Sequence, residues 1–194
     1  MVGLAAVVVV AASGRPVHRA VNPPPSSAPV TRLPAVASRP RVRAQLAAVG
    51  RLAAYGLPLF CGGRSRRLVA LTFDDGPGPY TTLAIKKLRE AHLHATFFLV
   101  GKQLVAYPGL ARREKPVAAV GDHTMTHPFL PALSHAAMVQ EIVGARSVIE
   151  RAAGQPVALF RPPYEAMSPA IDREVKSLGM LEVGRDPIEN RPPA

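Results

Sequence analysis

Acidic residues are missing from the first third of this chain: residues 1–67 contain no Asp, no Glu and no Lys, but ten Arg. The 24 basic and 13 acidic residues behind the formal net charge of +11 are therefore unevenly placed, since all 13 acids and only 14 bases follow residue 67. The charge excess belongs to a leader, which could meet anionic lipid or anionic cell-wall polymer. An Arg-rich solvated linker would have the same composition. Aromatic residues are scarce there too, with Tyr55 alone before Phe60. No row of rings is available for bases to stack on, and nucleic acid is not expected as a partner. Cysteine is nearly absent: Cys61 stands alone beside Gly62 and Gly63, which excludes an internal disulfide and a CxxC metal site.

The most apolar run, Val2–Ala12, has eleven residues, against about 20 needed to cross a bilayer. It matches the apolar region of a signal peptide, although no basic stretch precedes it. Residues 1–14 are read as a signal-like or anchor segment, and export to the cell envelope or beyond is expected. Residues 15–67 form a Pro/Arg-rich stretch including Pro23-Pro24-Pro25. Its part up to Arg43 has too little apolar area to offset the entropy of ordering and is read as disordered linker. A short helix over 45–55 is expected before Gly56, Pro58 and Gly62-Gly63 break it. A single domain over 68–194, acting as a monomer, fits the length.

From Leu68 the pattern changes. Leu68–Phe73, Ala95–Val100, Val117–Val120, Val157–Phe160 and Met180–Val183 are short continuous apolar runs, which read as buried strands. Between them lie helical patterns over Thr81–Ala91, with Leu83, Ile85, Leu88 and Ala91 apolar, over Ser134–Ala153, and over Pro169–Leu178. Strands alternating with helices predict an α/β fold of parallel β/α units. The unusual polar clusters fall just after strands, on loops that such folds gather at one face.

Three of those clusters carry chemistry. Asp74 and Asp75, pinned by Gly76-Pro77, put two carboxylates side by side, which is costly without a cation or shared proton. One could bind a metal while the other serves a reacting water; a solvated Asp-Gly-Pro turn would use the same residues. His123 and His127 have a spacing that lets two imidazoles converge on one ion, and Pro128 disfavours a helical His127. Arg161, in Arg161-Pro162-Pro163-Tyr164, stands at a strand end where it can hold a buried carboxylate ionised.

Together, Thr72-Phe73-Asp74-Asp75-Gly76-Pro77, Ala95-Thr96-Phe97-Phe98 followed by Gly101, His123-Thr124-x-x-His127 and Arg161-Pro162-Pro163-Tyr164 resemble carbohydrate esterase family 4, the polysaccharide deacetylases. The resemblance covers residues 68–186 and implies a distorted, incomplete (β/α) barrel of parallel strands after a disordered tail. It implies Asp75, His123 and His127 as ligands of one divalent ion, Zn²⁺ or alternatively Co²⁺. It also implies Asp74 as general base, Arg161 as its support, and the backbone N–H of Tyr164 as an oxyanion donor. The implied activity is removal of acetyl groups from an N-acetylated polysaccharide, peptidoglycan or chitin-like, by metal-activated water. Glu165 stands where the family usually has Gly, and Asp122 replaces the commoner Asn. The family's Asp-x-x-Asp-Trp segment is matched only by Asp186-Pro187-Ile188-Glu189-Asn190, and no Leu-x-His strand follows. A catalytically impaired glycan- or metal-binding remnant, or a gene fragment, is the alternative expectation.

Overall fold

In a computed structural model, residues 40–60, 69–114 and 117–185 are described, without the side chains of 40–43. The order of elements is α1 (Pro40–Ala53), β1 (Thr72–Gly76), α2 (Thr81–Glu90), β2 (Ala95–Leu99), α3 (Gln103–Ala106), α4 (Leu110–Glu114), β3 (Ala118–Asp122), α5 (His135–Ala153), β4 (Leu159–Phe160), α6 (Pro169–Ser177) and β5 (Leu181–Glu182). Two single 3₁₀ turns, Leu130–Ala132 and Pro163–Glu165, lie in the loops after β3 and β4. The five strands form one parallel sheet in the order β1-β2-β3-β4-β5. Each strand is laid beside its predecessor without reversal, which is the winding of a barrel wall rather than of a doubly wound sheet.

Helices cover the sheet, and β2 within it is almost wholly buried: Phe97, Phe98 and Leu99 are at most 2% exposed. Gly121 on β3 is required by this packing, because a Cβ there would sit 2.5 Å from the Phe98 ring. Helix α5 buries Met138, Ile142, Ala145, Ile149 and Ala153, one face at helical spacing. Burying an isoleucine as fully as Ile142 stabilises by about 1.5–3 kcal/mol. Its ends are set locally, since Ser134 Oγ accepts from the Ala137 N–H and Gly154 closes the helix at φ 64°. Ser168 caps α6 in the same way, and Pro169 fills its first turn.

The structure departs from the sequence reading in three places. On α2 the buried residues are Thr81, Ile85 and Leu88, while Leu83 is 53% exposed. Helices α3 and α4 were not expected, because four or five residues are too few to display a period. The third concerns the stretch read as linker. Helix α1 starts at Pro40, and Ala53 at its end is only 3% exposed. Beyond it, Leu59 pairs in parallel with Val183: its N–H donates to the Glu182 carbonyl (2.8 Å) and its carbonyl accepts from Gly184 (3.0 Å). The free side of β5 is thus partly covered by a segment more than a hundred residues upstream, a guard that exposed sheet edges need.

Three carboxyl residues are buried among the described residues, and two of them, Glu114 and Glu182, stand away from the histidine loop. Among the described residues neither oxygen of Glu114 finds a hydrogen-bond partner, and burial pushes its carboxyl up to about 8. Burial, and then the neighbouring Asp172 carboxyl, push Glu182 up to about 8 as well. The stretches 1–39, 61–68 and 186–194, including the signal-like run and the Asp186–Asn190 motif, lie outside the described residues. Among the described residues no helix is long and apolar enough to cross a membrane.

Candidate metal centre and active site

The register of β1 against β2 is regular at Thr72 and Phe73 and slips before Gly76. This irregularity falls on Asp74 and Asp75, and Asp75 takes a left-handed φ of 64°. A bulge re-aims side chains, and here it gives the two adjacent carboxylates different partners.

Asp74 meets Arg161. One terminal nitrogen of the guanidinium lies 2.8 and 3.1 Å from its two oxygens. Arg161 is 1% exposed, and its remaining donors reach Thr72 Oγ1 (2.9 Å), the Val183 carbonyl (3.0 Å) and the Gly184 carbonyl (3.4 Å). Its planar face lies 4.2 Å from the centre of the Phe98 ring. A buried cation with each of its three nitrogens hydrogen-bonded and a carboxylate beside it is a rigid support that fixes the position of Asp74.

Asp75 turns to the histidines instead. Its Oδ1 lies 3.1 Å from His127 Nε2 and 3.6 Å from His123 Nε2. The hydrogen bond from His127 lowers the Asp75 carboxyl against the upward push of burial, and the charges of His127, His123 and Lys102 assist. His123 is 3% exposed, and burial holds its imidazole toward the neutral form. Its Nδ1 donates to the Arg161 carbonyl at 2.6 Å, which fixes the tautomer and leaves the Nε2 lone pair facing Asp75.

The donor atoms of Asp75, His123 and His127 all lie within 4.8 Å of one another. Two ligands about 2 Å from one tetrahedral ion stand roughly 3.3 Å apart, and the two spacings from Asp75, 3.1 and 3.6 Å, are close to this. Asp75 remains half exposed, which leaves an approach for water and substrate.

The loop holding the histidines is strained and clamped. Thr124 and His127 take φ of 70° and 64°. The Thr124 N–H donates to Asp122 Oδ1 (2.7 Å) and the His127 N–H to Thr124 Oγ1 (3.1 Å). Burial pushes the Asp122 carboxyl well up, toward its neutral form, where it offers the acceptor and donor of an asparagine. From α5, Glu141 accepts from both the N–H and the hydroxyl of Thr126 at 2.8 Å, and Lys102 donates to the Thr126 carbonyl at 2.8 Å. This clamp escapes a sequence reading; its only trace is an acid on a largely apolar helix.

Tyr164 and Glu165 follow Arg161 with φ of 60° and 54°. The Tyr164 ring meets the edge of His127 at 4.8 Å. Glu165, where the resemblance leads one to expect glycine, binds both the Nε (2.5 Å) and the N–H (3.0 Å) of Arg185. All six residues singled out from sequence therefore stand at one end of the sheet: Asp74, Asp75, His123, His127, Arg161 and Tyr164. Thr72, Phe98, Lys102 and Glu141 join them as supports.

The sequence profile described as polysaccharide deacetylase matches residues 62–183. This chain belongs to the polysaccharide deacetylase family. A peptidoglycan-N-acetylglucosamine deacetylase of Bacillus cereus is 38% identical over 106 residues, covering 54% of this chain and 39% of the relative. Chitin deacetylase 1 of Saccharomyces cerevisiae is 35% identical over 113 residues, covering 58% of this chain and 36% of that one. A solved family 4 carbohydrate esterase from Streptomyces lividans, in complex with acetate, is similar with a TM-score of 0.57 and 35% identity; the match covers 63% of this chain and 62% of that structure. The deacetylase fold is thus shared, while the chain spans well under half the length of these two curated relatives.

Proposed function

We propose that this chain hydrolyses the N-acetyl groups of a polysaccharide, peptidoglycan or a chitin-like glycan, with one divalent ion held by Asp75, His123 and His127. Two imidazoles and one carboxylate leave open positions, the donor set of hydrolytic rather than closed structural sites, and it favours zinc, with cobalt as a substitute. An ion held there would acidify a water and polarise the acetyl carbonyl. Asp74, held in place by Arg161, takes the proton of the attacking water. The Tyr164 N–H, set by its left-handed turn, serves as donor to the carbonyl oxygen as charge grows on it.

The observation that carries this reading is the double role of Arg161, whose guanidinium holds Asp74 while its carbonyl orients His123. We place the activity outside the cytoplasmic membrane, where such polymers lie. There the chain works as a monomer, its basic leader against anionic wall or membrane.

Acetate release from acetylated chitooligosaccharides and from peptidoglycan by the zinc-loaded chain is the test. Release should fall by about 10²–10⁴-fold in Asp74→Asn and be lost on chelation. No acetate from either polymer, with zinc bound and the fold intact, sinks the proposal.

A further inference from the structure

We infer that Phe129 and Tyr164 form a stacking platform for the sugar ring next to the one being deacetylated, so that the site selects oligomers over single sugars. The inference rests on the glycan reading above and adds a specificity residue, Phe129, to it. Both rings are exposed, Phe129 by 53% and Tyr164 by 67%. Their centroids are 6.3 Å apart and tilted by 55°, and Tyr164 lies 4.8 Å from His127. A line of rings thus runs outward from a proposed ligand of the ion.

The exposure of Phe129 is imposed by its neighbours. Leu130 beside it is 1% exposed and anchored in the core, while Pro128 and Pro131 stiffen the backbone on either side. The next residue being buried, Phe129 faces outward from a rigid turn and loses little freedom on binding. Its ring packs beside that of Tyr164.

The occupant follows from the chemistry. Pyranose rings present one face of C–H groups, which pack on aromatic faces, while their hydroxyls stay in water. The acetyl group undergoing hydrolysis must reach the ion, which fixes its own sugar beside Asp75 and His127. The sugar linked to it is the next apolar surface available to rings that start at His127 and end at Phe129. A neutral ring pair also suits an uncharged glycan better than a polyanion. Tyr164 adds a hydroxyl at the rim that can meet a sugar oxygen.

The test uses the full zinc-loaded chain in an Asp74→Asn background, which suppresses turnover, with calorimetric binding of tetra-N-acetylchitotetraose and of N-acetylglucosamine. Phe129→Ala should weaken the tetramer roughly three- to tenfold, with the monosaccharide changed less than about twofold, and Phe129→Tyr should restore tetramer binding. Melting curves confirm that each variant is folded. Equal tetramer affinity with and without the ring overturns the platform and leaves the glycan reading standing. Equal weakening of monomer and tetramer also overturns it, since the ring would then serve the reacting sugar or the fold. A folded parent that binds no tetramer overturns the glycan reading and the platform together.

Discussion

The carbonyl of Arg161 accepts the Nδ1–H of His123 at 2.6 Å, so the residue that supports Asp74 also aims an imidazole at Asp75. A single buried side chain and its own backbone therefore tie the acid–base half of the site to the half that would hold an ion. Replacing Arg161 should disturb both. Arg161→Ala leaves Asp74 without its cation and several buried acceptors without donors, a loss of about 3–5 kcal/mol. Chemical denaturation measures it; a loss below about 1 kcal/mol would mean that the pair adds little to the fold.

Loss of a proposed ligand should empty the site. His123→Ala, His127→Ala and Asp75→Asn are each expected to bind zinc far below one equivalent by metal analysis, whereas Asp74→Asn should retain it. Equal zinc in all four would show that the ion lies elsewhere.

Glu141 holds Thr126, beside His127, and should tune the proposed metal site without touching it. Glu141→Gln keeps the shape but weakens both bonds to Thr126, and zinc affinity should drop about tenfold, the lower end for outer-shell changes. Competition against a chelator of known affinity gives the number. An unchanged affinity would reduce the clamp to a feature of the loop alone.

Stability should fall as pH rises from about 4.5 to 8. Glu114 and Glu182 keep their protons in the folded chain up to about 8, while the unfolded chain loses them near the ordinary value of 4.5. Across that window the folded state binds more protons, so each unit of pH favours unfolding. Glu114→Gln and Glu182→Gln are neutral at every pH and should flatten the decline. Melting temperatures between pH 5 and 9 decide it, and parallel curves for parent and variants would refute the burial argument.

Ala53→Asp separates a docked leader from a loose one. A charge at this 3% exposed position, against the β5 side of the domain, should cost about 1–3 kcal/mol. In a mere linker the same change would cost nothing, which a denaturation curve distinguishes at once.

Strands, long helices and the six residues gathered at one end of the sheet were legible because each shows in local pattern. Apolar runs mark buried parallel strands, Ser134 marks a helix start, and Asp74-Asp75, His123/His127 and Arg161 stand where apolar runs stop. What stayed hidden was conformational or distant. Nothing in the residue types announces the left-handed φ of Asp75, Thr124, His127 and Tyr164, since none is glycine. The Glu141 clamp and the Leu59–Val183 pairing join positions that no period connects. Glu165 is the converse case: a glycine position filled by an acid, its strain offset by Arg185.

The Leu59–Val183 bridge sets an order of events during synthesis. Residues 57–60 leave the ribosome long before β5 exists, so their docking place is created only when residue 183 has emerged. Contacts of such long sequence separation form late and slowly. The first part of the domain to be made is therefore among the last to be seated, and until then the nascent chain carries an open strand flank that chaperones or a neighbouring copy can reach.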